Sequence, residues 1–310
     1  MSKNKKILVL GSSGFLGKKV VDLLENKDYT IDFCDIKVEK NLKNFFNMEI
    51  NEFLEYKNFN LKEYSYIIDV ATVLPYKNDK KEVMMKNVES VKSLLKCKFD
   101  NDHQIIYVSS SGIYGNPDIL PITINSEFKT LDFYGESKLE AESLIRNSNL
   151  NYSIIRPKAI LGNGRSGIFK VFFNLINKKL PIPMPNNGNQ VMQFVDVNDV
   201  ARMVEYLIDK NIRGIFPAAA PNFMTMNEYL KNIENTFQIK TKKINISPKL
   251  FQFIGNLLVN LKLTNFTKWH FGGFAYSSYF DPKWKPDGFE YKYTSLDTFL
   301  NTAETYLKNE

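Results

Sequence analysis

The stretch that decides the fold is Ile7-Leu8-Val9-Leu10-Gly11-Ser12-Ser13-Gly14-Phe15-Leu16-Gly17, followed by residues 18–25. The apolar run before Gly11 reads as a buried strand, and residues 18–25 read as a helix. A strand that breaks into a glycine-rich turn and then a helix makes a site for a diphosphate. Backbone N–H groups of the turn approach the phosphate oxygens, and the helix N-terminus adds partial positive charge. Gly11 allows the tight turn, Gly14 the close approach, and Gly17 the packing of helix on strand. Such glycines also arise by chance, so the strand before and the helix after carry the argument. Gly11, Ser13, Gly14, Phe15, Leu16 and Gly17 are the candidate contacts.

Residues 30–35 read as a second strand with Asp35 near its end. The spacing from the turn suits an acid that holds the adenosine ribose hydroxyls. A carboxylate there repels a 2′-phosphate, so NAD is expected over NADP. Lys37 pulls the other way, and the plain alternative is a surface acid in a strand-to-loop turn.

Strand and helix signals go on alternating through the first half. Further strands are expected near residues 44–47, 67–71, 105–108 and 153–156, the last ended by Pro157. Helices are expected over 78–96 and 134–147; Val83, Met84, Asn87, Val91, Leu94 and Leu95 give the first a helix-period face. Beyond Gly162 come a helix over 167–177, the proline-rich residues 180–185, a strand over 192–195 and a helix over 198–209. Asp196 and Asn198 are both N-cap candidates for the last. The fold class is α/β: a Rossmann-like doubly wound parallel sheet with helices on both faces, plus a smaller mixed α/β lobe for substrate. The expected division is 1–165 for the dinucleotide, with 190–215 returning to it, and 166–189 with 216–310 for the lobe.

The 310 residues are 44% hydrophobic and 24% charged, which suits a globular protein. No apolar run is long enough for a membrane span, and the first residues read as no signal peptide. Cys34 and Cys97 read as buried thiols, so the cytoplasm is the expected location. Two cysteines with His103 and His270 make no convincing zinc site, and no metal is expected. The net charge of +7 is almost all lysine, scattered among Asn and Ile. Nucleic-acid binding needs a clustered basic face and is not expected.

Tyr134-Gly135-Glu136-Ser137-Lys138 puts a phenol and an ammonium on one helical face. A nearby Lys⁺ and a positively charged nicotinamide both favour phenolate. Such a Tyr can take a proton from a hydroxyl or return one to a carbonyl while hydride moves to or from the cofactor. Upstream, Val108-Ser109-Ser110-Ser111-Gly112-Ile113-Tyr114-Gly115 lies at the carboxyl end of the fifth strand, the edge where open α/β sheets bind ligands. A Ser hydroxyl there can orient the reacting oxygen. Each piece alone has an ordinary reading, as helix surface or as turn; their order after a dinucleotide turn points to catalysis.

These residues resemble the extended short-chain dehydrogenase/reductases, also called the NAD-dependent epimerase/dehydratase family. The resemblance runs through Gly11 to Gly17, Asp35, Asp69-Val70-Ala71-Thr72, Asn87, the serine run, Tyr134 to Lys138, Arg156-Pro157, Phe194 to Ala201, Phe280 to Lys283 and Tyr293 to Leu296. It implies Ser110 as the catalytic serine, with Ser111 the alternative, and Tyr134 and Lys138 as its partners. It also implies Ala71, Thr72, Asn87, Tyr134, Lys138 and Pro157 as further NAD contacts, with Lys138 on the nicotinamide ribose.

The departures from the family narrow the chemistry. Members that dehydrate or decarboxylate sugars carry acids just after the catalytic hydroxyl, where this chain has Ser111 and Gly112. In nucleotide-sugar epimerases an Asn and an Arg meet the substrate diphosphate; Ala159 and Met192 stand near those positions. Arg165, in a glycine-rich stretch before a helix, is either a substitute anion contact or a loop residue facing water. Substrate contacts are thus sought at Ser110, Ser111, Arg165 and Met192. The leading expectation is an NAD-dependent oxidoreductase or epimerase acting on a nucleotide-linked sugar. The other is a reductase or dehydrogenase of a non-nucleotide, lipid-like alcohol or ketone, prompted by the apolar residues 250–261. Those residues are expected to be core of the lobe; a pocket wall or a membrane contact is the alternative. A cofactor-binding subunit without turnover fits poorly with the intact Ser110, Tyr134 and Lys138. A homodimer is expected, with helices 78–96 and 134–147 pairing with their symmetry copies.

Overall fold

The computed structural model describes residues 5–37, 44–55, 60–74, 81–97, 103–164, 167–264 and 266–307. The central sheet starts with β1 (Lys6–Leu10), β2 (Thr30–Asp35), β3 (Phe45–Asn47), β4 (Tyr66–Asp69), β5 (Gln104–Val108) and β6 (Asn151–Pro157). Three short strands follow, β7 (Ala159–Leu161), β8 (Pro181–Pro185) and β9 (Val191–Met192), then β10 (Phe194–Asp196). The rest are β11 (Gly214–Ala218), β12 (Met224–Thr225) and β13 (Lys242–Ile246). The helices are α1 (Phe15–Leu24), α2 (Ile50–Leu54), α3 (Lys81–Lys96), α4 (Phe133–Arg146) and α5 (Ile168–Asn177). They continue as α6 (Val197–Asp209), α7 (Met226–Phe237), α8 (Pro248–Asn260), α9 (Lys268–Ala275) and α10 (Ser295–Leu307).

Seven strands form one sheet in the order β11-β6-β5-β4-β1-β2-β3. All its pairings are parallel. Parallel strands are covered on both faces, so they read as continuous apolar runs rather than as alternation. β1 and β4 are buried along nearly their whole length accordingly. One face packs α1 and α6 through Val20, Val21, Leu24, Val200, Met203, Val204 and Leu207. The other packs α2, α3 and α4 through Phe53, Leu54, Val91, Leu94, Ala141 and Ile145. The strand order reverses between β1 and β4, and ligands bind at such a switch point, outside the carboxyl ends of the strands.

A second core joins α5, α7, α9 and α10 through Phe169, Phe172, Phe173, Tyr229, Leu230, Phe274 and Phe299. Leu161, Met192 and Phe194 reach into it from β7, β9 and β10. The segment expected as one strand over 192–195 is two short strands, β9 and β10, with Gln193 between them. Its amide donates to Ala220 O at 3.0 Å and accepts from Phe280 N at 2.8 Å, so it serves as a buried crosslink rather than as strand backbone.

Asp196 caps α6 by accepting from Asn198 N at 2.8 Å, so the helix begins before Asn198. The helix expected from residue 78 is described from Lys81; residues 75–80 and the Val83 side chain lie outside the described residues. Cys34 is buried, but Cys97 is only half-buried.

The expectation of a buried 250–261 segment is corrected. It forms α8, yet only Phe251 and Gly255 are buried. Gly255 lies so close to α9 that an added Cβ would meet the Phe271 ring at 2.2 Å. The helix therefore docks by its narrow Phe251/Gly255 face and turns its apolar stripe outward.

Behind the sheet's carboxyl edge, Arg156 of β6 and Glu142 of α4 form an ion pair at 1% and 0% side-chain exposure. Arg156 Nε donates to Glu142 Oε1 at 3.0 Å, and its Nη1 donates to the Tyr114 hydroxyl at 2.6 Å. The pair ties α4 to the sheet and to the turn after β5. Asn87 of α3 adds a second tie. It brackets Val73, accepting from its N–H at 2.7 Å and donating to its carbonyl, and it donates to Ser137 Oγ at 3.2 Å.

Candidate active site

At the end of β1 the chain turns at Gly11 with φ +84°. An added Cβ there would lie 2.5 Å from Ala71 Cα, beyond the end of β4. A Cβ on Gly17 would meet Gly11 O at 2.1 Å, so α1 sits directly on the turn. A Cβ on Gly14 would find only Gly11 O, at 3.3 Å, which leaves its outer side open. Gly14 is the N-cap of α1 and makes no side-chain cap, and an uncapped helix N-terminus favours an anion. Ser12 is buried, and its hydroxyl has no hydrogen-bond partner among the described residues. Phe15 opens α1; the Leu16 side chain packs in the core, which leaves its backbone for any ligand contact.

Asp35 ends β2 and accepts from Ser13 N and from Lys37 N, both at 2.9 Å. Ser13 Oγ donates to Lys37 O at 2.9 Å. The carboxylate thus braces the turn, and its remaining lone pairs can accept from ribose hydroxyls. Open cradle, uncapped helix N-terminus and terminal carboxylate together fit a dinucleotide.

The serine run follows β5. Ser110 is buried, and its Oγ accepts from Gly112 N at 3.0 Å, capping the short turn Ser111–Tyr114. That acceptance leaves the hydroxyl proton to donate outward. Tyr134 and Lys138 lie one turn apart on α4, whose N-cap is Asp132, accepting from Gly135 N at 3.0 Å. Lys138 is fully buried; its Nζ donates to Thr72 Oγ1 at 2.7 Å and to Val108 O at 3.0 Å. It also lies 4.7 Å from the Tyr107 ring centre. Burial pulls its pKa down to about 8, against Asp69 and Glu142, which favour the charged form. Asp69 is pushed up to about 6 by burial, opposed by Lys138 and by the Ala71 N–H. Burial dominates in both groups.

A pocket at the sheet's carboxyl edge is lined by Ser109, Ser110, Ser111, Tyr134, Pro157 and Lys158, and also by Leu74, Ala159, Ile160, Trp269 and His270. The structure thus brings Ser110, Ser111, Tyr134 and Pro157 together, with Lys138 reaching the end of the same strand. Thr72 touches Lys138, and Asn87 holds the loop after β4. Met192 is not among the pocket's lining residues; it is 4% exposed and packs in the second core. Arg165 lies outside the described residues.

Several pocket residues escaped sequence reading as site residues, Lys158, Trp269 and His270 among them. Lys158 is half-buried, and burial alone draws its pKa down to about 7. Its Nζ donates to Ser278 Oγ at 2.6 Å. Trp269 and His270 come from α9, with the Trp269 ring 6.0 Å from that of Tyr134. His270 Nδ1 accepts from Thr267 N at 3.2 Å, and Thr267 Oγ1 donates to Asp132 Oδ2 at 3.3 Å. The same Asp that caps α4 therefore anchors α9 above the pocket. The only local signal for Lys158 was its place directly after Arg156-Pro157 at a strand end.

The NAD dependent epimerase/dehydratase family matches residues 7–216, more than half of the chain. The chain belongs to that family. It is an NAD-dependent enzyme of the extended short-chain type. It is 28% identical over 218 residues to an uncharacterized protein, y4nG, of Sinorhizobium fredii. That alignment takes in 66% of this chain and 54% of the relative, so the chain spans about half of that protein's length. It is 29% identical over 217 residues to a UDP-glucose 4-epimerase candidate of Methanocaldococcus jannaschii, covering 63% of this chain and 71% of that one. Among solved structures, a Thermus thermophilus UDP-glucose 4-epimerase in complex with NAD superposes with a TM-score of 0.74 at 17% identity. It covers 98% of this chain and 100% of its own, which establishes the shared fold.

Proposed function

We propose that this enzyme oxidises or reduces a hydroxyl or keto group on a nucleotide-linked sugar, as an epimerase or a net oxidoreductase. NAD, when bound, supplies a hydride acceptor and donor. Gly11 to Gly17 would hold its diphosphate, Asp35 its adenosine ribose, and Thr72 with Lys138 its nicotinamide end. Tyr134 moves the proton to or from the substrate oxygen. Ser110 donates a hydrogen bond to that oxygen and orients it. Lys138, one helical turn from Tyr134, supplies the positive charge that a phenolate needs nearby.

The observation that carries this reading is the convergence of Ser110 and Tyr134 on one pocket at the carboxyl edge of the sheet, with Lys138 fixed between Val108 and Thr72. Lys158 supports a substrate with an anionic part. It precedes Ala159, and it bonds Ser278, whose backbone bridges to Met192. Lys158 thus adjoins one of the two positions where the usual diphosphate contacts are missing and is linked through Ser278 to the other. We assign it the anionic group of the substrate.

Trp269, Leu74 and Ile160 give the pocket an apolar wall, which favours a second reading, a lipid-like alcohol or ketone. Calorimetric titration with UDP- and TDP-sugars separates the two: binding is expected for the sugar nucleotides, and none at all would favour the lipid. Tyr134→Phe tests the mechanism itself. It should cut kcat by about 10²–10⁴-fold with NAD affinity retained; unimpaired turnover overturns the assignment. A homodimer through the outer faces of α3 and α4 completes the proposal, and a monomer mass in solution scattering would refute it.

A further inference from the structure

α8 is amphipathic in the wrong sense for a helix of a monomeric lobe. Its buried side is Phe251 and Gly255. Leu250, Phe253, Ile254, Leu257 and Leu261 stand in the solvent, at 49%, 64%, 41%, 46% and 58% exposure. Their spacing puts them on one stripe along the helix. Ile244 of β13 and Leu263 just past α8 are exposed as well. Seven of the fifteen exposed large hydrophobic side chains among the described residues therefore fall between Ile244 and Leu263. Single exposed apolar residues are ordinary, but a contiguous patch marks an interaction surface.

Charge says what covers it. From residue 235 to residue 280 the sequence has no Asp, Glu or Arg, but it has Lys240, Lys242, Lys243, Lys249, Lys262 and Lys268. All six are exposed. On the helix, Lys249 borders the apolar stripe. Six of the chain's lysines, with no acid among them, thus fall in the same stretch of sequence as the apolar stripe. A second copy of this chain would bring the same positive charges against them. An anionic surface that can also receive Phe and Leu side chains satisfies both features at once.

We propose that α8, with the β13 strand that leads into it, docks the enzyme on an anionic phospholipid bilayer, lying in the plane of the headgroups. No helix among the described residues is long and apolar enough to cross a membrane, so the association is peripheral. The close contact of Gly255 with Phe271 joins the docked helix to α9, which carries Trp269 and His270 over the pocket. The catalytic opening is thereby held near the surface. This inference is independent of the substrate reading.

The test is co-sedimentation of the full chain with vesicles of phosphatidylcholine alone and of an equal mixture with phosphatidylglycerol. Binding is expected to the mixed vesicles only, and it weakens as salt rises. Lys249→Gln should lower the partition by about fivefold, the worth of one surface charge. Phe253→Ser and Leu257→Ser should each lower it by about tenfold or more. These side chains are exposed, so the thermal midpoint of each variant stays that of the wild type. Equal binding to both vesicles, no binding to either, or full binding by the Phe253→Ser, Leu257→Ser double variant overturns the proposal. So does a dimer mass in scattering that this double variant reduces to a monomer, because a second copy would then cover the face.

Discussion

Replacing Arg156 by Met removes one half of a buried ion pair and leaves Glu142, itself wholly buried, without its counter-charge. An uncompensated buried charge costs about 3–5 kcal/mol. Unfolding entropy is about 2.1 cal/mol/K per residue. Over 310 residues that makes about 0.65 kcal/mol/K, so Tm should fall by roughly 5–8 °C. Scanning calorimetry at neutral pH reads the shift. The triple variant Arg156→Met, Glu142→Leu, Tyr114→Phe removes the charges and the hydroxyl together, and it should regain at least half of the loss, because a matched apolar set costs little. The reasoning fails if Arg156→Met loses less than about 1 kcal/mol, or if the triple variant is less stable than the single one. α4, which carries the proposed Tyr134 and Lys138, is fixed through this pair, so kcat of the single variant should fall further than its folded fraction accounts for.

Lys158→Met should raise KM for a sugar nucleotide by about tenfold, the worth of a charged hydrogen bond, with kcat little changed; initial rates decide it, and an unchanged KM removes Lys158 from the substrate. The same variant gives a stability prediction with a definite sign. The Lys158 pKa is lowered to about 7, so between pH 7 and its ordinary value the unfolded chain binds more protons and stability rises with pH. The cost of burying the charge is therefore complete below pH 7, and Lys158→Met should raise Tm more at pH 6 than at pH 9; the opposite order contradicts this. Asp35→Asn should raise KM for NAD by about tenfold or more and narrow its preference over NADP; an unchanged preference would leave Asp35 only as a brace for the Ser13 turn.

What the sequence disclosed is what is local along the chain. The glycine turn, the serine run and the Tyr134/Lys138 pair each need only a few consecutive residues, and the strand before and helix after point to the glycine turn. Lys158 takes its meaning from Ser278, and the pocket takes Trp269 and His270 from a helix far along the chain. Those relations arise only in the folded state. The 250–261 segment misled for a different reason. Apolar periodicity shows that a helix has two faces but not which one turns inward. The choice fell to Gly255, whose missing side chain lets α9 approach on the narrow side.

Chain order has a consequence for biosynthesis. The parallel sheet is complete in sequence at Ala218, whereas α9 begins at Lys268. Domains fold from the N-terminus as they leave the ribosome. A nascent chain can therefore assemble its dinucleotide cradle and its Tyr134/Lys138 helix while the residues that shelter them from water are still unsynthesised. Premature termination between these points would release a polypeptide that has the glycine turn and α4 but lacks the pocket's Trp269 and His270.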